Sequence, residues 1–125
     1  MTVALWCVFA CGLLPYAATL TAKVGRKGFD NRDPRAWLAT QEGFRKRANN
    51  AQMNAFEAFP FFAAAVITAH LLHGPQALVD TLALVFVAAR LLYLAFYLAD
   101  KPSLRSLVWF AGFGCVIAIF IVAAI

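Results

Sequence analysis

The sequence predicts an all-α integral membrane protein with four spanning helices, a prediction that rests on composition and charge pattern. Of the 125 residues, 63% are hydrophobic and 14% are charged, and the mean hydropathy of +0.74 differs from that of ordinary soluble domains. Several stretches have few or no charges, and each is long enough to supply the roughly 20 residues that a helix needs to cross a bilayer. No internal repeat or low-complexity tract divides the chain, so residues 1–125 form one predicted domain.

Two of the predicted spans, Met1–Ala22 and Ser106–Ile125, contain no charged residue. The other two, Ala48–Val79 and Thr81–Ala99, contain one charge each, and a His-Gly-Pro turn at 73–75 separates the two apolar runs. The first span has small residues like those of a signal-peptide cleavage site. It lacks a basic segment at its start, however, which favours a retained helix.

The basic residues predict the orientation of the chain. Most of the Lys and Arg residues lie between the first and second spans, and two more follow the third. Because such residues concentrate in cytoplasmic loops, the Lys23–Arg47 and Asp100–Arg105 loops are predicted to be cytoplasmic, with both termini on the outer side. The net charge of +5 is therefore attributed to orientation and to contact with an anionic lipid or ligand, and no motif for binding nucleic acid accompanies it. The basic residues of the first loop are Lys23, Arg26, Lys27, Arg32, Arg35, Arg45, Lys46 and Arg47.

The first loop allows two interpretations. Asp33 followed by Pro34 is typical of a helix N-cap and first helical position. Trp37 and Leu38 would then lie at the membrane interface before Gly43 admits a bend. These residues predict a short interfacial helix, and the alternative is a water-exposed basic connector.

Polar residues of the second and third spans share helix faces. Asn50, Asn54 and Glu57 are separated by four and three residues, which places them on one face of the second span. The third span shows the same spacings in reverse order, as expected for an antiparallel partner. The predicted register pairs Glu57 with Arg90, Asn54 with Tyr93, and Asn50 with Tyr97.

The two charges inside the spans have two interpretations. A charge at bilayer depth costs about 2.5–3.5 kcal/mol, so Glu57 and Arg90 are predicted to face inward. They would form either a structural ion pair that fixes helix packing or part of a polar cleft open to the cytoplasm, with Arg105 at its mouth. The neighbouring asparagines and tyrosines add more hydrogen-bond donors and acceptors than one ion pair requires. They favour a cleft for a small anionic ligand that also carries an ammonium group.

Other residue types predict no further site. His70 and His73 lack a third ligand, so no metal site is expected. The three cysteines lie in apolar runs and are expected to be unpaired, buried thiols. Gly112 and Gly114 are expected to form a packing surface on the fourth span.

The segment Arg47–Phe61 resembles the helix-two signature of the MAPEG family, the membrane-associated proteins in eicosanoid and glutathione metabolism. The third span and the residues after it extend the resemblance, which includes an Arg-Ser pair typical of the family. The matching positions are Ala51, Gln52, Asn54, Glu57, Pro60, Ala89, Arg90, Leu91, Tyr93, Tyr97, Arg105 and Ser106.

The resemblance implies a homotrimer of four-helix subunits that uses glutathione as a cosubstrate, bound near the cytoplasmic side at the subunit interfaces. Asn54 and Glu57 would hold the γ-glutamyl end, and Arg105 would be the catalytic residue that stabilises the thiolate. Two residues of the first loop would cap the site from a neighbouring chain. The glutathione-binding residues implied in this way are Asn50, Gln52, Asn54, Glu57, Arg90, Tyr93 and Tyr97, with Arg26 and Lys27 as the capping pair.

The chain also departs from the family pattern. Family enzymes typically carry an arginine where this chain has Asn50, and Arg47, one turn earlier, would replace it only partly. Ala58 replaces a polar or aromatic residue found in some members. The Asp30–Arg35 loop resembles bacterial members, which implies a multi-pass protein of the bacterial inner membrane.

The leading functional prediction is a glutathione-dependent transferase or peroxidase that acts on a hydrophobic small-molecule electrophile arriving from the bilayer. The alternative is a non-catalytic accessory or scaffold subunit of a heteromeric membrane complex. Asn50 favours the accessory subunit, whereas Arg105, Tyr93 and Tyr97 favour the enzyme. A small transporter is disfavoured because the sequence lacks inverted repeats and paired broken helices.

Overall fold

The computed structural model describes residues 1–125 and contains five helices and no strand. Four helices are long and apolar enough to cross a membrane, which confirms the predicted all-α, four-span architecture. The fifth is short and lies in the first connection. The helices are α1 (Val3–Lys23), α2 (Pro34–Ala39), α3 (Gly43–Leu71), α4 (Gln76–Leu98) and α5 (Pro102–Ala124).

Two spanning helices begin earlier than their apolar runs predict. Gly43 starts α3 with a φ of 58°, a conformation that glycine adopts without steric cost, so three basic residues of the predicted loop form the first turns of the helix. Pro102 starts α5 at a position where its missing N–H is not needed, and Arg105 therefore belongs to the first turn of α5.

The connections after α3 and α4 are tight because each helix ends in a Schellman motif. After α3, the amides of His73 and Gly74 donate to the carbonyls of His70 and Ala69. The same pattern closes α4, where Asp100 takes the left-handed conformation with a φ of 56°. Both turns reverse the chain at once, so α3, α4 and α5 run antiparallel to their sequence neighbours.

Small side chains form much of the interior, and large ones cover the surface. α1 packs mainly against α3, and α4 mainly against α5. Alanines at the contacts, such as Ala65 and Ala83, are fully buried, whereas Trp6, Phe9 and Phe110 are exposed. This arrangement is typical of membrane helices, because close backbone approach gives the packing energy while lipid solvates the bulky apolar residues.

α2 confirms the predicted short helix in the first connection. The carboxylate of Asp33 accepts a hydrogen bond from the amide of Ala36, and Pro34 occupies the first turn. The indole of Trp37 donates to the carbonyl of Lys27 at 3.0 Å. Trp37 and its neighbour Leu38 are buried against residues of α1 and α3, so the connection is a folded segment and not a loose loop.

The other end of the bundle is tied together by Asp80. Its carboxylate oxygen accepts hydrogen bonds from the backbone amide of Ala4 and from the side chain of Gln76, both at 2.7 Å. Ala4 lies in the first turn of α1, where backbone amides have no partner within the helix. A side chain of α4 therefore supplies a hydrogen-bond acceptor to the N-terminus of α1.

All the connections that carry basic residues lie at one end of the bundle, which we call the loop end. We predict that this end is cytoplasmic. A thiol reagent that cannot cross the membrane should label Asn31→Cys and Gln76→Cys from opposite sides. The three native cysteines are buried and serve as a low background. Labelling of both variants from the same side would contradict the four-span topology.

Candidate functional site

Arg90 is the one charged side chain in the buried interior, and it is only 4% exposed. Its guanidinium donates to the side-chain oxygen of Asn54 at 2.8 Å. The amide nitrogen of Asn54 in turn donates to a carboxylate oxygen of Glu57 at 3.4 Å. These three residues form a chain of hydrogen bonds in which the asparagine is the central member.

The predicted ion pair between Glu57 and Arg90 is wrong. The only ion pair in the structure joins Lys46 and Glu42 on the surface. Asn54 lies between the two charges because its amide supplies both the acceptor that the guanidinium needs and the donor that the carboxylate needs. Glu57 is exposed, and Arg90 uses one bond within the chain although a guanidinium has five N–H donors.

The antiparallel packing predicted for the two polar spans is confirmed. The ring of Phe62 on α3 stacks on that of Phe86 on α4, with centroids 4.0 Å apart. Near the loop end, the guanidinium of Arg47 bonds to the carbonyl of Leu98. Both contacts lie within one helical turn of the predicted register. The helix alignment was therefore close to correct, and only the side-chain partners differ.

Two tyrosines connect Arg90 to Arg105. The guanidinium of Arg90 lies 4.3 Å from the ring centre of Tyr93, and that of Arg105 lies 4.4 Å from the ring centre of Tyr97. The two rings meet edge to face, with centroids 5.6 Å apart. Cation–π contacts of this kind hold a guanidinium in place without neutralising its charge.

These groups open into two adjoining cavities. The first is about 170 Å³ in volume and lies between α3, α4 and α5, with Arg90, Asn54 and Glu57 in its wall. The second is about 260 Å³ and has Arg105 and the two tyrosines in its wall. Trp109 lines both cavities. The structure therefore brings six of the predicted site residues into one connected region: Asn54, Glu57, Arg90, Tyr93, Tyr97 and Arg105.

The other predicted site residues lie elsewhere in the single chain. Gln52 lines a separate groove of about 400 Å³ that also contains Arg35 of α2. Asn50 is half-buried and lines none of the cavities. Arg26 and Lys27 are exposed in the first connection, where Arg26 lies over the ring of Phe29 at 4.4 Å. One subunit alone does not bring these residues to Arg90.

Arg47 is bonded to α4 and lines neither of the two cavities. Two of its guanidinium nitrogens donate to the Leu98 carbonyl, each at 3.3 Å. This carbonyl belongs to the last turn of α4, whose terminal carbonyls lack partners within the helix. Arg47 is therefore engaged in capping α4.

Sequence reasoning did not identify the apolar walls of the first cavity. Trp109, Gly112 and Phe113 line it from α5, and Phe61 lines it from α3. Gly112 also packs closely on α4, as expected, because a Cβ there would lie 3.6 Å from Phe86 and Ala89. Gly114 faces open space in the single chain, so it packs on no other helix of its own subunit. The sequence did contain a signal for this wall, because the spacings between Arg105, Trp109, Gly112 and Phe113 place them on one face of α5.

The family assignment agrees with this fold. The family model for the MAPEG family matches residues 3–125, which is nearly the whole chain. Among curated proteins, no match to the chain is found. Four apolar helices and a match of this length lead to one conclusion: the chain belongs to the MAPEG family.

Proposed function

We propose that the protein is a glutathione-dependent transferase or peroxidase for lipophilic electrophiles. Membership of the MAPEG family suggests glutathione-related or eicosanoid-type activity. The observation that carries the proposal is Arg90, a buried cation with no carboxylate within 4.0 Å and with donors left over beside a cavity. A buried charge is costly unless it is paired, so an anionic ligand is the expected partner.

Glutathione has the groups that this region lacks. Its carboxylates match the unused donors of Arg90, and its ammonium group matches the exposed carboxylate of Glu57. Asn54 would position both side chains, to which it is hydrogen-bonded. Arg105 lies in the adjoining cavity, where its positive charge would lower the pKa of the glutathione thiol and supply more thiolate at neutral pH.

The proposed transferase step is nucleophilic attack by this thiolate. A sulfur–carbon bond forms at an electron-poor carbon of the electrophile. A leaving group then departs with its electron pair, or, with a conjugated carbonyl compound, a neighbouring carbon takes up a proton. In the peroxidase reaction, two glutathione molecules are oxidised to the disulfide while a hydroperoxide is reduced to an alcohol and water.

We further propose a homotrimer in the bacterial inner membrane with the loop end in the cytoplasm. The separate position of Gln52, Arg26 and Lys27 supports this assembly, because a neighbouring copy would supply them to the cavities of the next subunit. The mean hydropathy and the large apolar side chains on the surface are compatible with contacts to both lipid and further subunits.

A non-catalytic accessory subunit of a heteromeric complex is the second candidate. Asn50 favours it, since the family arginine is missing and Arg47 is engaged with α4. In that case the Arg90–Asn54–Glu57 chain would serve only to fix the packing of α3 against α4.

Glutathione binding separates the two candidates. We expect calorimetry on the detergent-solubilised protein to show saturable binding, and we expect Asn50→Arg to tighten it because a guanidinium is added near the loop end of α3. Arg32→Ala, an exposed change in the first connection, is the matched control and should leave binding unchanged. If neither the unmodified protein nor Asn50→Arg binds glutathione, the accessory-subunit function replaces the enzyme.

A further inference from the structure

The groove between α2 and α3 contains a cation without an anionic partner. The groove is about 400 Å³ in volume, and Arg35 of α2 lines it together with Asn49 and Gln52 of α3. Arg35 is exposed, and its guanidinium forms no ion pair within the chain. A guanidinium beside two side-chain amides is a set of hydrogen-bond donors that suits a carboxylate.

The acidic residues of the first connection are engaged elsewhere. Asp30 and Asp33 each accept a hydrogen bond from a backbone amide two or three residues later. Glu42 forms the surface ion pair with Lys46. The buried residues of α2 pack against α1 and α3, so this helix holds Arg35 beside the groove.

The groove and the first cavity lie on different sides of α3 but at the same depth. Phe56 lines the groove and contacts Tyr16 of α1, whereas Asn54 lines the cavity formed with α4 and α5. At 100° per residue, the groove residues and the cavity residues of α3 point about 140° apart. Gln52 and Asn54 are separated by only about 3 Å along the helix axis. No residue lines both the groove and either cavity.

A neighbouring copy can bring the groove to the cavities in the proposed homotrimer. All copies have the same orientation in the bilayer, so the symmetry axis is normal to it and every residue keeps its depth. In a ring, each interface joins two different faces of the subunit. The groove is suited to such an interface because the amides of Asn49 and Gln52 are better satisfied by a protein neighbour than by lipid.

Glutathione has a carboxylate at each end, and one subunit provides a cation for only one of them. In the proposed complex, the ammonium group pairs with Glu57, and the carboxylate on the same carbon bonds to Arg90. The glycyl carboxylate lies roughly 10 Å away in an extended conformation, too far for Arg90 to bind both at once. Arg105 is assigned to the thiol. The glycyl carboxylate therefore needs a cation from outside the subunit.

We infer that Arg35 of a neighbouring subunit binds the glycyl carboxylate of glutathione, so that the groove of one copy completes the site of the next. This inference rests on the proposed function and on the proposed homotrimer. Arg35 is a binding residue in this assignment, and its place on a packed helix reduces the conformational entropy lost when the ligand binds.

The ethyl ester of the glycyl carboxylate tests which end of glutathione Arg35 binds. In calorimetry on the detergent-solubilised protein, Arg35→Gln should bind glutathione about tenfold more weakly than the unmodified protein, because a charge-assisted hydrogen bond is lost. The ester lacks this negative charge and should bind both proteins equally well, which also shows that the variant is folded. Arg32→Gln removes the same charge from the same connection and should bind glutathione as the unmodified protein does.

Mixed oligomers test whether Arg35 acts on a neighbouring subunit. Arg35→Gln chains, which keep the cavities, are combined with chains that carry both Asn54→Leu and Arg90→Met and keep the groove. Two different affinity tags isolate the mixed oligomers. Each mixed trimer should contain one site with the affinity of the unmodified protein, because one intact cavity then faces one intact groove. If no such site forms, Arg35 does not act across the interface and the inference is wrong.

The outcomes also separate this inference from the proposed function. If the unmodified protein binds glutathione and Arg35→Gln binds it equally well, the inference is overturned and the proposed function stands. Equal weakening of glutathione and its ester by Arg35→Gln also overturns the inference, because the glycyl carboxylate is then not the group that Arg35 binds. If the unmodified protein does not bind glutathione, both the inference and the proposed function fail.

Discussion

Replacing Arg105 with alanine is expected to lower the rate of glutathione conjugation at pH 7 by about tenfold or more. In the proposed complex, the guanidinium favours the thiolate over the thiol, and each unit of pKa corresponds to about a factor of ten in the balance between the two. Arg105 is half-buried in the first turn of α5 and contacts the ring of Tyr97, so its removal should leave the bundle assembled. The ultraviolet absorbance of bound thiolate should disappear in parallel.

The pH dependence of the conjugation rate tests whether Arg105 acts on the pKa of the thiol. Without the guanidinium, the thiol titrates near its ordinary pKa of about 8.5, so the variant should regain rate as the pH rises from 7 toward 9. The unmodified protein should show little change over that range because its thiol is already ionised. Arg105→Lys should retain part of the activity, since it keeps the charge. If Arg105→Ala is as slow at pH 9 as at pH 7, Arg105 does not act by lowering the pKa of the thiol.

Asn54→Leu is expected to destabilise the protein by about 2 kcal/mol, because it leaves the buried guanidinium of Arg90 without its hydrogen bond. The cost is measured as a lower midpoint of thermal unfolding in detergent. Glu57→Gln is the matched comparison. Glu57 is exposed and does not contact Arg90, so this change should lower stability by less than about 0.5 kcal/mol.

A double variant tests whether the unpaired charge causes the loss. Asn54→Leu combined with Arg90→Met replaces both partners by apolar side chains and should recover most of the stability. The same double variant should not bind glutathione, because both residues belong to the proposed site. If Glu57→Gln is as destabilising as Asn54→Leu, the hydrogen-bond order described for these residues is wrong.

The number of spans and the faces of α3 and α4 could be predicted because they depend on local regularities. Apolar length determines whether a helix can cross a membrane, and spacings of three and four residues place side chains on one face. The contact between Phe62 and Phe86 shows that the register was also close. These features follow from the backbone geometry of a helix.

The partner of Arg90 could not be predicted in this way. The spacing of residues predicts how far along a helix each side chain begins. The conformation of a long side chain and its hydrogen-bond partners depend on the residues packed around it. Opposite charge suggested Glu57, whereas the buried position brings Asn54 within 2.8 Å. The aromatic cavity was missed for a related reason. Phe61, Trp109 and Phe113 look like ordinary membrane residues until the contact between three helices leaves a space between them.

The bond between Asp80 and the amide of Ala4 bears on how the chain is made. α1 is synthesised before residue 80, so the amide of Ala4 has no access to the Asp80 carboxylate until α4 has been made. The partner arrives only when α4 has been inserted beside α1. The first turn of α1 is therefore fastened only after two further spanning helices have been made.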